Sequence, residues 1–127
     1  MQGKEEDIGR IILSSAMKVH SALGCGLLES AYEACLAHEI FAQGLEVKRQ
    51  VMLPVRYDGV ELDAGYRLDL LIGGCVIVEL KAVDKIAPIH LAQLLSYLKL
   101  SDCRLGFLLN FNVVHMRDGI KRLVNGL

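Results

Sequence analysis

The stretch VIVELKAV, residues 76–83, places two charges in what otherwise looks like a buried strand. Its apolar residues are typical of a strand that is covered on both faces of a sheet. Glu79 and Lys81 interrupt the run two positions apart, so they point to the same face. Charged side chains are almost never fully buried unless they are paired, because an unpaired buried charge is costly. The strand therefore needs neighbours that accommodate an acid and a base.

The segment before this strand predicts a β-hairpin. Apolar residues alternate over 47–57 and again over 60–72, and Asp58-Gly59 between them is a strong two-residue turn signal. A two-residue loop matches the two apolar sets on one face of the hairpin. Pro54 lacks a backbone N–H, which indicates that the first strand lies at an edge of the sheet.

Helical periodicity predicts two helices before the hairpin and one after the central strand. Apolar residues recur every three or four positions over about 5–23 and 28–40, and Gly24 and Gly44 are natural helix ends. Pro88 suits the first turn of a third helix, and a fourth strand follows over 105–111. The predicted order, ααβββαβ, corresponds to one α/β domain over residues 1–127, with a central mixed sheet flanked by helices. The tail from 113 to 127 has no clear assignment.

Composition narrows the class of protein without naming a function. The net charge is −1, which is not the strongly basic balance that by itself indicates nucleic acid, although a local basic patch remains compatible. The charged N-terminal segment predicts neither a secretion signal nor a membrane anchor. Four cysteines show no C-x-x-C pair and no zinc spacing, so we expect buried, reduced thiols and a cytoplasmic protein.

Asp69, on the polar side of the preceding strand, completes a constellation with Glu79 and Lys81. Two carboxylates on neighbouring strands suit Mg²⁺, which prefers oxygen ligands and keeps several waters. A bound metal activates water and polarises a phosphoryl oxygen, and a lysine beside it positions that water or stabilises phosphate charge. Without metal, the carboxylates would pair with the lysine. The alternative interpretation is a structural ion pair at a strand end.

The metal-site hypothesis requires a particular length for the turn at Gly73-Gly74. A strict two-residue loop places Asp69 and Glu79 on opposite faces of the sheet, because side chains alternate along each strand. A three-residue loop or a bulge, pairing Leu71 with Cys75, brings both carboxylates onto one face.

Polar side chains on two predicted helices extend the candidate site. His90, Gln93 and Tyr97 form a stripe on an otherwise apolar helix, which is either a hydrogen-bonded helix edge or a face directed at the strand charges. Glu29 suits the positive start of its helix, or faces the site together with Tyr32 on the same flank. The other histidines have no partner at metal-ligand spacing and are expected to be structural or surface residues: His20, His38 and His115.

Four motifs in this order resemble the PD-(D/E)XK nuclease superfamily and, more narrowly, the GxxExxY protein family. Residues 26–32 match G-x-x-E-x-x-Y, and Asp69 followed by Glu79-Leu80-Lys81 matches D…E-x-K. Residues 93–97 match Q-x-x-x-Y, and Leu109-Asn110-Phe111 resembles a further signature. The resemblance covers nearly the whole chain. It departs from the superfamily name at the proline, since Arg67-Leu68 precedes the aspartate.

The resemblance implies a restriction-endonuclease-like α/β fold and a nuclease that uses Mg²⁺ or Mn²⁺ to hydrolyse phosphodiester bonds through a metal-activated water. It implies that Asp69, Glu79 and the backbone carbonyl of Leu80 bind the metal. Glu29 would complete the acidic cluster from the helix.

The same resemblance assigns the remaining site residues and the partner. Lys81 would be the catalytic lysine, with Gln93 and Tyr97 as supporting helix residues. Nucleic acid is the implied partner, with DNA favoured over RNA, and a homodimer would supply additional binding surface. The alternative function is a nuclease-fold module that binds nucleic acid or a protein without cutting.

Overall fold

A computed structural model of the chain describes residues 3–127. The helices are α1 (Lys4–Leu23), α2 (Glu29–Ala42) and α3 (Pro88–Ser101), with a short 3-10 helix at Met116–Gly119. The strands are β1 (Val47–Met52), β2 (Val55–Tyr57), β3 (Val60–Leu62), β4 (Arg67–Ile72), β5 (Val76–Lys81), β6 (Leu105–Asn110) and β7 (Ile120–Val124).

Five strands form one mixed sheet in the order β1-β4-β5-β6-β7, so β5 is central, as its apolar run predicted. Among the strands of residues 3–127, only β5 and β6 are parallel to each other, and α3 makes the connection between them. Along β5, Val76 and Val78 pack with α1 and α2, whereas Ile77 packs with α3. The sheet is thus covered by helices on both faces, which are called here the α1–α2 face and the α3 face. This arrangement confirms the predicted α/β class with a central mixed sheet.

The hairpin prediction was right at its turn and wrong in its length. Tyr57 pairs with Val60 across Asp58-Gly59, but the two strands form a separate two-stranded sheet. Between β1 and β2 the chain passes through Pro54, which has no N–H to donate. Between β3 and β4 it makes a turn in which Asp63 accepts the Gly65 N–H at 2.9 Å. The remainder of each predicted strand becomes β1 and β4, and β1 is an edge strand, as Pro54 indicated.

The turn between β4 and β5 has the odd length that the site hypothesis required. Ile72 pairs with Val76, which leaves a three-residue loop of Gly73, Gly74 and Cys75. The exact pairing differs from the expected one, because Leu71 lies opposite Ile77. Both glycines have positive φ, and a Cβ at Gly73 would lie 2.7 Å from the Ile8 Cδ1 atom, so the turn requires glycine there.

The unassigned tail forms the second edge of the sheet. Strand β7 pairs antiparallel with β6, with Ile120 opposite Leu109. Gly119 precedes it at a point where a Cβ would lie 2.0 Å from the Asn110 carbonyl oxygen. This close approach explains how a short, mostly exposed strand docks against the buried β6.

The cysteine expectation needs one correction. All four thiols are free, but Cys25 is exposed, because it lies in the loop between α1 and α2; Cys103 is buried, and Cys35 and Cys75 are half-buried. No helix within residues 3–127 has the length and apolar character needed to cross a membrane.

Candidate active site

Strands β4 and β5 stop pairing through their backbones where Asp69 meets Glu79. Regular pairing extends as far as Leu70 opposite Val78. At the next position the Asp69 N–H donates to Glu79 Oε2 at 2.8 Å, and the Leu80 N–H donates to Asp69 Oδ2 at 2.9 Å. Each carboxylate takes the place of a backbone carbonyl, so the two side chains lie together in an opening between the strands.

Glu79 carries the strongest electrostatic perturbation at this opening. Its side chain is buried, with 7 % exposure. The pKa of Glu79 is raised to about 8, first by burial and then by the negative charge of Asp69, while the Asp69 N–H and Lys81 act in the opposite direction. In the absence of a cation, Glu79 therefore holds a proton at neutral pH.

Glu29 approaches the same opening from the first turn of α2. Partial burial raises the pKa of Glu29, the charge of Asp69 raises it as well, and Lys81 lowers it. Its charge also contributes to the raised pKa of Glu79. The three carboxyl groups and one ammonium group therefore form a single electrostatic cluster, whose protonation states depend on one another.

Lys81 ends β5 and is half-buried. Within residues 3–127, no carboxylate lies within 4.0 Å of its ammonium group, so the expected direct pairing with Asp69 and Glu79 is absent. One oxygen of each carboxylate is already occupied by a backbone N–H. The lysine acts on the cluster through space, as its effect on the pKa values of Glu29 and Glu79 shows.

The polar stripe on α3 divides between two roles. His90 Nδ1 accepts the Ala87 N–H at 3.0 Å, so this histidine caps the start of the helix. Tyr97 is buried, and its pKa is raised by burial and then by the charge of Glu79, so the phenol lies within electrostatic range of that carboxylate. Gln93 is exposed one turn earlier and lines a cleft of about 450 Å³ together with Tyr97 and Tyr66.

The family model of the PD-(D/E)XK nuclease superfamily matches residues 6–123. The chain belongs to the PD-(D/E)XK nuclease superfamily. Neither the curated proteins nor the solved structures contained a match. Membership supports a nuclease-type function, binding of nucleic acid and the use of divalent metals, which are typical of this superfamily.

The donor set at the opening is compatible with such a metal. Glu79 Oε1 and Asp69 Oδ1 are not used by the two backbone N–H groups, and both are hard oxygen donors. The Leu80 carbonyl lies on the same edge of β5 as its N–H, which points to Asp69. No group of three or more His, Cys, Asp or Glu side chains in the described part of the chain is arranged as a metal cage. A site of two carboxylates and one carbonyl suits Mg²⁺, which usually keeps several of its waters.

Tyr32 of the GxxExxY motif does not face the opening. Its hydroxyl donates to the Gly24 carbonyl at 2.6 Å and accepts the Leu27 N–H at 3.1 Å. Its ring stacks on Phe111 with a centroid separation of 4.7 Å. Tyr32 thus fixes the loop that leads into Glu29, and only the glutamate of this pair contributes to the acidic cluster.

A second polar cluster beside Asp69 was not predicted. Glu33 is buried on α2, and its carboxylate accepts hydrogen bonds from Arg49 Nε at 3.1 Å and Gln50 Nε2 at 2.7 Å. Two signals in the sequence pointed to it. Glu29 and Glu33 are four residues apart on one side of a helix, and Arg49 interrupts an apolar set in β1.

Asn110 of the last motif and the three remaining histidines lie outside the acidic cluster. Asn110 is buried and clamps the chain just after Lys81, donating to the Val83 carbonyl at 2.9 Å and accepting the Val83 N–H at 3.1 Å. His20 Nε2 lies 2.7 Å from the Val113 carbonyl oxygen. His38 and His115 are exposed, as expected for surface residues.

Proposed function

We propose that this chain is a metal-dependent nuclease of the GxxExxY group, which uses Mg²⁺ or Mn²⁺ to hydrolyse phosphodiester bonds of nucleic acid. One observation carries the proposal. Asp69 and Glu79 meet where the backbone pairing of two strands ends, with Lys81 two residues further along the same strand.

Four groups are assigned to the metal. Asp69 and Glu79 would hold it through their carboxylate oxygens, together with the Leu80 carbonyl, and Glu29 would complete the acidic cluster from α2. When bound, the metal supplies a water of lowered pKa and polarises the phosphoryl oxygen. The raised pKa values of Glu79 and Glu29 support this assignment, since burial first and the charge of Asp69 second disfavour the ionised carboxylates, and a cation would offset both effects.

Lys81 is assigned the catalytic role. Its ammonium group lies close enough to influence Glu29 and Glu79, yet it forms no ion pair within 4.0 Å among residues 3–127. It is therefore available to orient the attacking water or to stabilise negative charge on the phosphate. The Asn110 clamp on Val83 holds the backbone that carries this lysine.

The substrate is proposed to be nucleic acid, with DNA favoured over RNA. The cleft lined by Gln93, Tyr97 and Tyr66 is linked to the carboxylates by Tyr97, because burial and then the charge of Glu79 raise the pKa of this phenol. Aromatic rings and amide groups suit nucleobases, which stack and form hydrogen bonds. Neither this cleft nor a larger one of about 630 Å³ between α1 and the 3-10 helix is lined by any of the three carboxylates, but only the first includes a residue whose pKa responds to Glu79. We further propose a cytoplasmic protein, where thiols stay reduced, and a homodimer that enlarges the binding surface.

A cleavage assay tests the proposal. Labelled single- and double-stranded DNA and RNA are incubated with the protein in Mg²⁺, in Mn²⁺ or in a chelator. We expect cleavage only with metal, and its loss in Glu79→Ala and Lys81→Ala. Equal behaviour of the wild type and both variants would rule out the enzymatic function. Binding of the same substrates without cleavage would instead support the non-cutting module.

A further inference from the structure

Gln50 has a backbone conformation that is unusual for a residue inside a strand. Its φ is +51°, in the left-handed region that residues with a side chain avoid. Two other non-glycine residues among 3–127 have positive φ, Asp58 in the hairpin turn and Asp102 at the end of α3. Aspartate tolerates this conformation in turns and helix ends. Gln50 has no such local reason, so its conformation must be imposed by its surroundings.

The unusual backbone makes β1 change face. In a regular strand, Val47 and Val51 would point to the same side, because they are four residues apart. Instead, Val47 packs on the α1–α2 face and Val51 on the α3 face. Leu70 and Leu68 of β4, which pair with Arg49 and Val51, are divided in the same way.

The change of face occurs where Gln50 meets Asp69, and the Gln50 amide occupies the gap. The pairs on either side are regular, whereas Gln50 and Asp69 are not a ladder pair. Gln50 Nε2 donates to Glu33 Oε1 at 2.7 Å and to Asp69 Oδ1 at 3.3 Å. Arg49 binds the other oxygen of Glu33 through Nε at 3.1 Å and Nη2 at 3.0 Å. Because Glu33 is buried and fully engaged, it is a fixed anchor for the amide.

We propose that Gln50 is a positioning residue that sets the rotation of the Asp69 carboxylate; this inference rests on the proposed function. The Leu80 N–H holds Asp69 Oδ2, and the Gln50 amide holds Asp69 Oδ1. An amide is suited to this task because it donates a hydrogen bond without bringing a positive charge that would compete with a metal ion. The unusual φ of Gln50 is the conformation that brings this amide between the carboxylates of Glu33 and Asp69.

Glycine at position 50 separates this role from a structural one. Glycine adopts positive φ without strain, so Gln50→Gly retains the backbone and loses the amide, with its hydrogen bonds to Asp69 and to buried Glu33. If Gln50 served stability alone, the variant would differ from the wild type in stability and not in metal affinity. Gln50→Asn is a second variant, which also tolerates positive φ but has an amide one methylene further from Asp69 Oδ1.

The experiment measures Mn²⁺ affinity by titration calorimetry, Tm without metal, and kcat and KM for cleavage of labelled DNA. Relief of the backbone strain should offset much of the lost hydrogen bond to buried Glu33, so we expect Gln50→Gly and Gln50→Asn to keep a Tm close to that of the wild type. Their Mn²⁺ affinity and kcat should fall by about 10–100-fold, as for other residues that orient metal ligands, with KM unchanged. Gln43→Gly, an exposed glutamine after α2, is the matched control and should behave as the wild type.

Each outcome bears on a different claim. If the wild type binds Mn²⁺ and cleaves DNA, but both Gln50 variants stay within twofold of it, the positioning role is wrong and the proposed function stands. A loss of affinity that accompanies a lower Tm in both variants would also overturn the positioning role, in favour of a structural one. A wild-type protein that neither binds Mn²⁺ nor cleaves would overturn the proposed function, and the positioning role with it.

Discussion

The two ends of the β4–β5 pair are built on opposite principles. At the turn end, Ile72 and Val76 pair through their backbones, are fully buried, and are joined by a loop that demands glycine. At the other end, Asp69 and Glu79 replace the backbone pairing with side-chain contacts. Apolar burial and regular backbone pairing both stabilise the turn end. The other end instead holds the buried carboxyl group of Glu79 next to the carboxylate of Asp69.

The contrast shows where the fold gives up stability to create a site. The raised pKa of Glu79 reports the free-energy cost of keeping its carboxylate charged in a buried position. A divalent cation would offset that cost. The end at Asp69 and Glu79, called here the open end, is therefore expected to depend on metal, whereas the turn end is not. Variants at the two ends should therefore affect different measurements.

The largest effect is expected from neutralising Glu79. Glu79→Gln retains the shape of the side chain but cannot supply a carboxylate to a metal, so cleavage should fall by about 10³-fold, roughly 4 kcal/mol of activation free energy. Glu61→Gln removes an exposed carboxylate on β3 and should leave the rate unchanged. Steady-state kinetics under identical Mn²⁺ conditions makes the comparison, and a loss of less than tenfold in Glu79→Gln would contradict it.

Truncating Leu70, in the regularly paired part of β4, should lower the stability of the fold instead. The side chain is fully buried on the α1–α2 face, so Leu70→Ala should lower the free energy of unfolding by about 3 kcal/mol. Leu28→Ala, at a side chain that is 77 % exposed, should change it by less than about 0.5 kcal/mol. Urea unfolding measures both values. A Leu70→Ala protein as stable as the wild type would show that this end is not the structural one.

A pH series sharpens the contrast at the open end. The pKa of Glu79 is raised from 4.5 to about 8, so the folded state binds a proton more tightly than the unfolded state does. The stabilisation from protonated Glu79 is fully present below pH 4.5 and is lost as the pH rises through about 8. In metal-free protein, the free energy of unfolding should therefore contain a decrease over this range that Glu79→Gln lacks. Identical pH profiles for the two proteins would contradict the assignment.

The smallest effect is expected at Tyr97. Burial and then the charge of Glu79 raise the pKa of its phenol, so Tyr97→Phe removes one neutral polar group within electrostatic range of the proposed site. A loss of about 1 kcal/mol, roughly fivefold in kcat, is expected. Tyr57→Phe alters a tyrosine that is 72 % exposed in the hairpin and should have no effect. An unchanged kcat in Tyr97→Phe would remove the phenol from the proposed site.

The elements that could be predicted from the sequence follow local rules. The parity of a strand pair decides whether Asp69 and Glu79 share a face, so the spacing of the two acids was sufficient to predict that a shared site requires an odd-length turn at Gly73-Gly74. The opening between the strands was not predicted. Helices α1 and α3 likewise follow from apolar periodicity and from Pro88 at the first turn.

Other features depend on tertiary contacts that local patterns do not encode. Gln50, with its positive φ, contacts Glu33 and Asp69, which are distant in sequence, so alternation alone predicted a regular strand. Strand β7 pairs because Gly119 allows a close approach to Asn110, although its own residues are mostly exposed. The hydroxyl of Tyr32 is directed by the loop after α1, so helix position alone did not predict its role.

The most direct test of the central claim compares Lys81→Ala with the wild type in one experiment that measures Mn²⁺ binding and DNA cleavage together. The lysine is not an assigned metal ligand, so the variant should bind Mn²⁺ at least as tightly as the wild type and yet lose cleavage. That result would locate catalysis at the open end of β4 and β5. A Lys81→Ala protein that still cleaves DNA at the wild-type rate would contradict the account.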